Sequence, residues 1–250
     1  RLSYARMLVA QKRFADARSV LEQLLEAAPA ATLAPARYAA WRQRLRDEDA
    51  IRARQQEPEL NSDALPIHPM RLCREVRDFM DRDAILVVDG QEILGYGRQS
   101  IPTFFPGHRL NSGAFGMMGV GMPFGVGAKL AKPDKQVIVL HGDGSFGMNG
   151  MELDTAIRHK IPLIVVISLN GGWTADPKRN KVGRNLGYTR YDRIAEELGA
   201  HGQFVEHPDQ IRPALERAKA TVAAGKTALI NVVTDWQARA NATIFTKHMT

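Results

Sequence analysis

Two short apolar runs, Gln136–Leu140 (QVIVL) and Leu163–Ile167 (LIVVI), stand on either side of one stretch with helical spacing. Neither run alternates with polar residues, so both read as strands buried on two faces. Between them Leu153, Ala156 and Ile157 fall on one helix face, and Pro162 marks the end of that helix. A strand, a crossover helix and a second parallel strand bring both strand ends to the same edge of a sheet. The first end delivers Gly142-Asp143-Gly144-Ser145 and the second delivers Asn170-Gly171-Gly172. Asp143 and Asn170 are therefore expected side by side.

That juxtaposition suits a hard divalent cation. A carboxylate, an amide oxygen and a loop carbonyl make three oxygen ligands of a partial octahedron, a set that fits Mg²⁺, with water and substrate phosphates filling the rest. Gly144 and Ser145 open the following helix, where free N–H groups and the helix dipole favour a phosphate. Taken alone, GDGS reads equally well as a turn with an Asp or Ser helix cap. The Asn-Gly-Gly at the matching position in the next unit weighs against that plainer reading.

The rest of the chain repeats the alternation. A helix over Pro69–Met80 leads to a strand, Ala84–Val88, that ends in Asp89-Gly90-Gln91-Glu92. Beyond the central unit come a helix at Tyr191–Leu198, a strand at Gln203–Val205, a helix at Pro208–Ala224 and a strand at Ala228–Val233. Strands separated by helices predict an α/β fold, an open and mostly parallel sheet with helices on both faces. Ahead of it, residues 2–9 and 13–29 have helical patterns, the latter with Val20, Leu21, Leu24 and Leu25 on one face. With no strand to cover, residues 1–30 read as the helical tail of a preceding domain, and the start at Arg1 rather than Met reads as a truncation. Residues 31–64 read as a charged helix followed by a linker over Gln55–Ala64, and residues 65–250 as the compact domain.

Composition narrows the function classes. The chain has 250 residues, 44% of them apolar, enough for one good core. No apolar run reaches the length needed to span a bilayer, so no membrane role is expected. The single cysteine, Cys73, excludes an internal disulfide framework and fits a reducing cytoplasm. The net charge of +7 invites a nucleic-acid reading. The basic residues are scattered among acids, however, with no aromatic-interleaved stripe or zinc-finger spacing, and polyanionic small molecules account for the charge as well. The histidines show no metal-ligand spacing; His141 either borders the site or serves the core.

The glycine-dense stretch Gly113–Gly127 is not a dinucleotide loop, because Gly125 falls one residue late and no strand leads into it. Its plain reading is a tight turn plus a helix over Met122–Leu130.

GDGS, the crossover and the Asn-bearing second turn together resemble the cofactor signature of thiamine diphosphate-dependent enzymes. The chain reads Leu169-Asn170 where that signature has two asparagines, and the resemblance places the ligand at the second. It implies Asp143, Asn170 and the backbone oxygen of Gly172 as Mg²⁺ ligands. It implies Gly90, Gln91, Glu92, Gly142, Gly144, Ser145 and Trp173 around the diphosphate end of the cofactor. A carboxylate beside a diphosphate is repelled unless it bonds elsewhere, so Glu92 is the weakest of these. The Gly113–Gly127 stretch looks like the family's segment that holds the cofactor bent, with Met118 beneath the two rings and backbone groups of Gly116 and Met118 on the aminopyrimidine.

The resemblance covers roughly residues 65–250, the family's diphosphate-binding domain, with the tail after Asp235 as a lid. Its detail is similar to the 2-hydroxyacyl-CoA lyases and oxalyl-CoA decarboxylases, in Phe146–Thr155, Ile230–Asp235, Asn170–Trp173 and Tyr188–Asp192. The implied activity is a thiamine diphosphate- and Mg²⁺-dependent carbon–carbon lyase on a CoA ester, giving formyl-CoA and an aldehyde or ketone. An oxalyl-CoA decarboxylase, an acetolactate-synthase-like or benzaldehyde-lyase-like carboligase, and a non-catalytic cofactor-binding remnant are the alternatives. The family's activating glutamate comes from a pyrimidine-binding domain, N-terminal in the chain and contributed by a neighbouring subunit. The working form is therefore expected to be a homodimer or homotetramer of a longer protein, or this chain with a separate partner.

Overall fold

In the computed structural model, which describes residues 38–173 and 178–240, the apolar runs become strands of one six-stranded parallel sheet. The described residues divide into two units between Gln56 and Glu57. Helix α1 (Ala39–Leu60) carries no buried residue, as its dense Arg, Asp and Glu content dictates. It runs through most of the stretch expected to be a linker. It ends where the Asn61 side chain donates to the Glu57 carbonyl at 2.8 Å, satisfying a terminal acceptor. The helical patterns at 2–9 and 13–29 lie outside the described residues.

In the second unit the order is α2 (Pro69–Phe79), β1 (Ile85–Asp89), α3 (Glu92–Ser100), β2 (Arg109–Leu110), α4 (Gly121–Ala131), β3 (Val137–Gly142), α5 (Asp143–Asn149), α6 (Glu152–Arg158), β4 (Ile164–Leu169), α7 (Tyr191–Leu198), β5 (His201–Val205), α8 (Pro208–Ala223) and β6 (Ala228–Val233). The strands lie in the order β2-β1-β3-β4-β6-β5. Successive strand residues point to opposite faces, and both faces are buried. Leu86, Val88, Ile138, Leu140, Ile164 and Val166 pack with α2 and α8, while Ile85, Val87, Val137, Val139, Val165 and Ile167 pack on the other side. Each fully buried aliphatic side chain here contributes about 1.5–3 kcal/mol of transfer free energy. A buried carboxylate also ties α2 to α8: Glu75 is paired with Arg71 and Arg212, each at 3.1 Å.

Two features depart from the sequence reading. The single helix expected after GDGS is two, α5 and α6, which break at Gly150 and Met151. A Cβ at Gly150 would sit 2.7 Å from the Phe146 ring, so the glycine lets the chain turn tightly over that buried ring. Helix α3 was masked in the sequence by Gly95 and Gly97. A Cβ at Gly95 would sit 2.8 Å from Ala240 Cβ, so this glycine admits the C-terminal segment.

The register fixes the site. Gly142 of β3 pairs with Ser168 of β4, and Asp89 of β1 pairs with His141 of β3. The three loops that follow β1, β3 and β4 therefore leave one sheet edge together.

Candidate active site

The tip of β1 and the tip of β3 meet almost backbone to backbone. A Cβ at Gly90, whose φ is +131°, would lie 3.0 Å from Ile93 Cγ2 and 3.1 Å from the Gly142 nitrogen. Only glycine fits both the conformation and the contact. Behind these tips lies a buried polar network. Asp89 Oδ2 accepts the Gly121 N–H at 2.8 Å, and Ser145 Oγ lies 2.9 Å from the carbonyl oxygens of Asp89 and Gly142. His141 Nδ1 is 3.1 Å from the same hydroxyl. Burial pushes the His141 pKa down to about 3, so the ring is neutral. Because the serine proton faces two carbonyls, the histidine proton belongs on Nδ1, donated to Oγ. The Ser145 hydroxyl is spent inside this network, so the phosphate expected at this helix start would meet its backbone N–H.

Asp143 begins α5, and its carboxylate is 2% exposed. Oδ1 accepts the Gly144 N–H at 2.8 Å, whereas Oδ2 is buried with no partner among the described residues. Desolvation raises the Asp143 pKa to about 6, opposed by the N–H groups of Gly144, Gly171 and Gly172 and by the Arg179 guanidinium. The Asp143 carboxylate thus faces the turn that carries Asn170, as the crossover required. Asn170 Oδ1 accepts from the Gly172 N–H and from Arg179 Nη2, each at 3.2 Å. Gly172 forms an isolated antiparallel bridge with Asn185, and a Cβ there would collide with the Arg184 carbonyl. The Trp173 ring lies over Gly144, within 2.8 Å of where a Cβ would stand.

One cavity opens among these tips. All the residues expected around the cofactor line it except Gly116: Gly90, Gln91 and Glu92 from the β1 loop, Met118, then Gly142 to Ser145, and Asn170, Gly172 and Trp173. Gly116 caps a short 3₁₀ turn in the left-handed conformation, at φ +63°, and is exposed. Glu92 bonds elsewhere: its Oε2 accepts the Ala240 N–H at 2.8 Å, and burial raises its pKa. The tail after Asp235 therefore reaches the mouth through Ala240, and Asp235 and Ala238 line the same cavity; residues 241–250 lie outside the described residues.

Sequence reasoning missed Tyr96, Asp89 and Arg179. Tyr96 is 1% exposed, lines the cavity, and its hydroxyl has no partner among the described residues. Nothing in the local pattern marks it. Asp89 precedes a glycine at a strand tip, as Asp143 does, and that parallel was the available signal.

Among the described residues no group of three or more His, Cys, Asp or Glu side chains could hold a metal. The donor set here is of another kind: one carboxylate with an orphaned buried oxygen, one amide oxygen and the glycine turn beside them. Those oxygens suit a hard cation such as Mg²⁺.

The family described as "Thiamine pyrophosphate enzyme, C-terminal TPP binding domain" matches residues 95–232. The chain belongs to the thiamine pyrophosphate-dependent enzyme family. It is 38% identical over 204 residues to a probable acetolactate synthase of Mycobacterium bovis, covering 78% of this chain and 36% of that protein. It is 33% identical over 231 residues to 2-hydroxyacyl-CoA lyase 2 of Homo sapiens, covering 87% and 35%. A solved structure, the thiamine diphosphate-dependent 4-hydroxybenzoylformate decarboxylase of Rhodococcus jostii RHA1, is similar with a TM-score of 0.64 and 29% identity, covering 70% of this chain and 34% of that one. The chain thus spans about a third of the length of these relatives.

Proposed function

We propose that this chain is the diphosphate- and Mg²⁺-binding part of a carbon–carbon lyase acting on 2-hydroxyacyl-CoA, giving formyl-CoA and an aldehyde or ketone. The observation that carries the metal and diphosphate reading is the buried, unpartnered Asp143 Oδ2 facing the Asn170–Gly172 turn. Support for the substrate class comes from relatives named 2-hydroxyacyl-CoA lyase, at 28 to 35% identity.

In this reading Asp143, ionised at neutral pH, holds the cation with Asn170 Oδ1 and the Gly172 carbonyl oxygen. The backbone at Gly90 and Gly144, where side chains are excluded, lets a diphosphate approach the strand tips. Thiamine diphosphate supplies, when bound, the electron sink that lets a bond next to a carbonyl break. Met118 would pack against the bound cofactor, and Trp173 and the 236–240 segment would keep water from the reacting carbon. The activating glutamate and the rest of the substrate pocket come from a pyrimidine-binding domain of a longer chain or a neighbouring subunit, in a homodimer or homotetramer.

A second reading, an acetolactate-forming carboligase, is favoured by the 38% identity to acetolactate synthases. The same cofactor residues serve both. The test is an assay of the protein from its complete reading frame with thiamine diphosphate and Mg²⁺. Formyl-CoA release from a 2-hydroxyacyl-CoA, with no acetolactate from pyruvate, is the expected result; the reverse pattern would select the carboligase.

A further inference from the structure

Arg179 stands where a metal ion is expected to act. Its Nη2 donates to Asn170 Oδ1 at 3.2 Å, and its guanidinium lies 4.7 Å from the centre of the Trp236 ring. Its backbone is in the left-handed region at φ +49°, a conformation that a non-glycine residue holds only when its surroundings compel it. Its Nε is buried without a partner among the described residues. The side chain is therefore drawn to this place without being fully satisfied in it.

We propose that Arg179 is the resident cation of the ligand-free site, holding the Asn170 amide oxygen until a divalent metal ion displaces it. This rests on the metal-and-diphosphate reading of the same residues. A guanidinium and Mg²⁺ compete for Asn170 Oδ1, and two cations within a few ångströms in a partly desolvated site repel strongly. The attachments of Arg179 are replaceable. One neutral amide oxygen and one indole face hold it, and Asp235 offers a carboxylate at the mouth once the amide is taken. In its absence the Asn170 amide oxygen and the Trp236 face would lose the cation that joins them. The arrangement keeps the ligand-free site folded while making bare metal bind weakly. A metal ion arriving with a diphosphate has the further phosphate contacts to offset the loss of Arg179.

The test uses the full 250-residue chain and Mn²⁺ as a spin-visible probe, with free Mn²⁺ counted by electron paramagnetic resonance. Without any diphosphate, Arg179→Met should bind Mn²⁺ about tenfold more tightly than the wild type. Arg179→Lys, which keeps the charge, should bind as weakly as the wild type, and Asp143→Asn added to Arg179→Met should abolish the gain. Metal-free Arg179→Met should melt below the wild type, and Mn²⁺ should close that gap. Unchanged or weaker Mn²⁺ binding in Arg179→Met, beside a wild type that binds Mn²⁺ together with thiamine diphosphate, overturns the stand-in role alone. Tighter binding in Arg179→Lys also overturns it, because charge would not be the cause. If neither the wild type nor Arg179→Met binds Mn²⁺ even with thiamine diphosphate present, the metal reading falls and this proposal with it.

Discussion

The Asp89 carboxylate accepts the backbone N–H of Gly121 at 2.8 Å, joining the tip of β1 to the first residue of α4. Both groups are buried, and the bond fixes the start of α4 three residues beyond Met118. Asp89→Ala leaves the Gly121 N–H unpaired and should cost about 1–3 kcal/mol in urea unfolding. Asp89→Asn keeps an acceptor oxygen and should cost less than half as much.

Gly121 leaves no space for a side chain. A Cβ there would overlap the His141 ring and stand 2.9 Å from Asp89 Cβ. Gly121→Ala should destabilise by about 3 kcal/mol. Adding His141→Ala should recover part of that loss, so a double-mutant cycle should show favourable coupling; strict additivity would place the clash elsewhere.

His141 should make the fold sensitive to acid. Burial lowers its pKa from 6.5 to about 3, so its contribution to stability is fully present above 6.5 and is lost as pH falls toward 3. Asp143 has the opposite sign: raised from 3.8 to about 6, it favours the ligand-free fold below 3.8, and that contribution is lost as pH rises through 6. Urea midpoints across this window should therefore fall less steeply on acidification in His141→Asn than in the wild type. In Asp143→Asn they should fall more steeply.

Glu92 fastens the C-terminal segment across the sheet edge through the Ala240 N–H. Glu92→Ala should speed hydrogen exchange at the Ala240 amide by about tenfold or more while leaving β3 and β4 amides protected. Glu92→Gln keeps an acceptor and should retain most of the protection.

The parts of the fold that the sequence revealed were those carried by period and punctuation. The β6 run Ala228–Val233 and the helix Tyr191–Leu198 have the bounds that their apolar spacing implied, and β3 and β4 extend past their apolar runs only to the site residues. Asp143 and Asn170 could be paired from sequence because a parallel crossover fixes which strand ends are neighbours. The two-residue strand β2 and the glycine-bearing α3 were hidden, since neither has enough periodic apolar residues to outvote its turn-forming ones. Arg179 and the hydrogen bonds that join Asp89, His141 and Ser145 were hidden for a different reason, although the Asp-Gly at the tip of β1 marked Asp89. Their partners come from three strand tips and a distant turn, contacts that no spacing along the chain encodes.

The most direct test of the account is calorimetric titration of thiamine diphosphate into the full chain, with Mg²⁺ and then with a chelator, in the wild type and in Asp143→Ala. The account predicts binding that needs the metal and weakens by about 100-fold in the variant, a change equal to about 2.7 kcal/mol. Binding that is indifferent to both the chelator and the loss of the Asp143 carboxylate would contradict it.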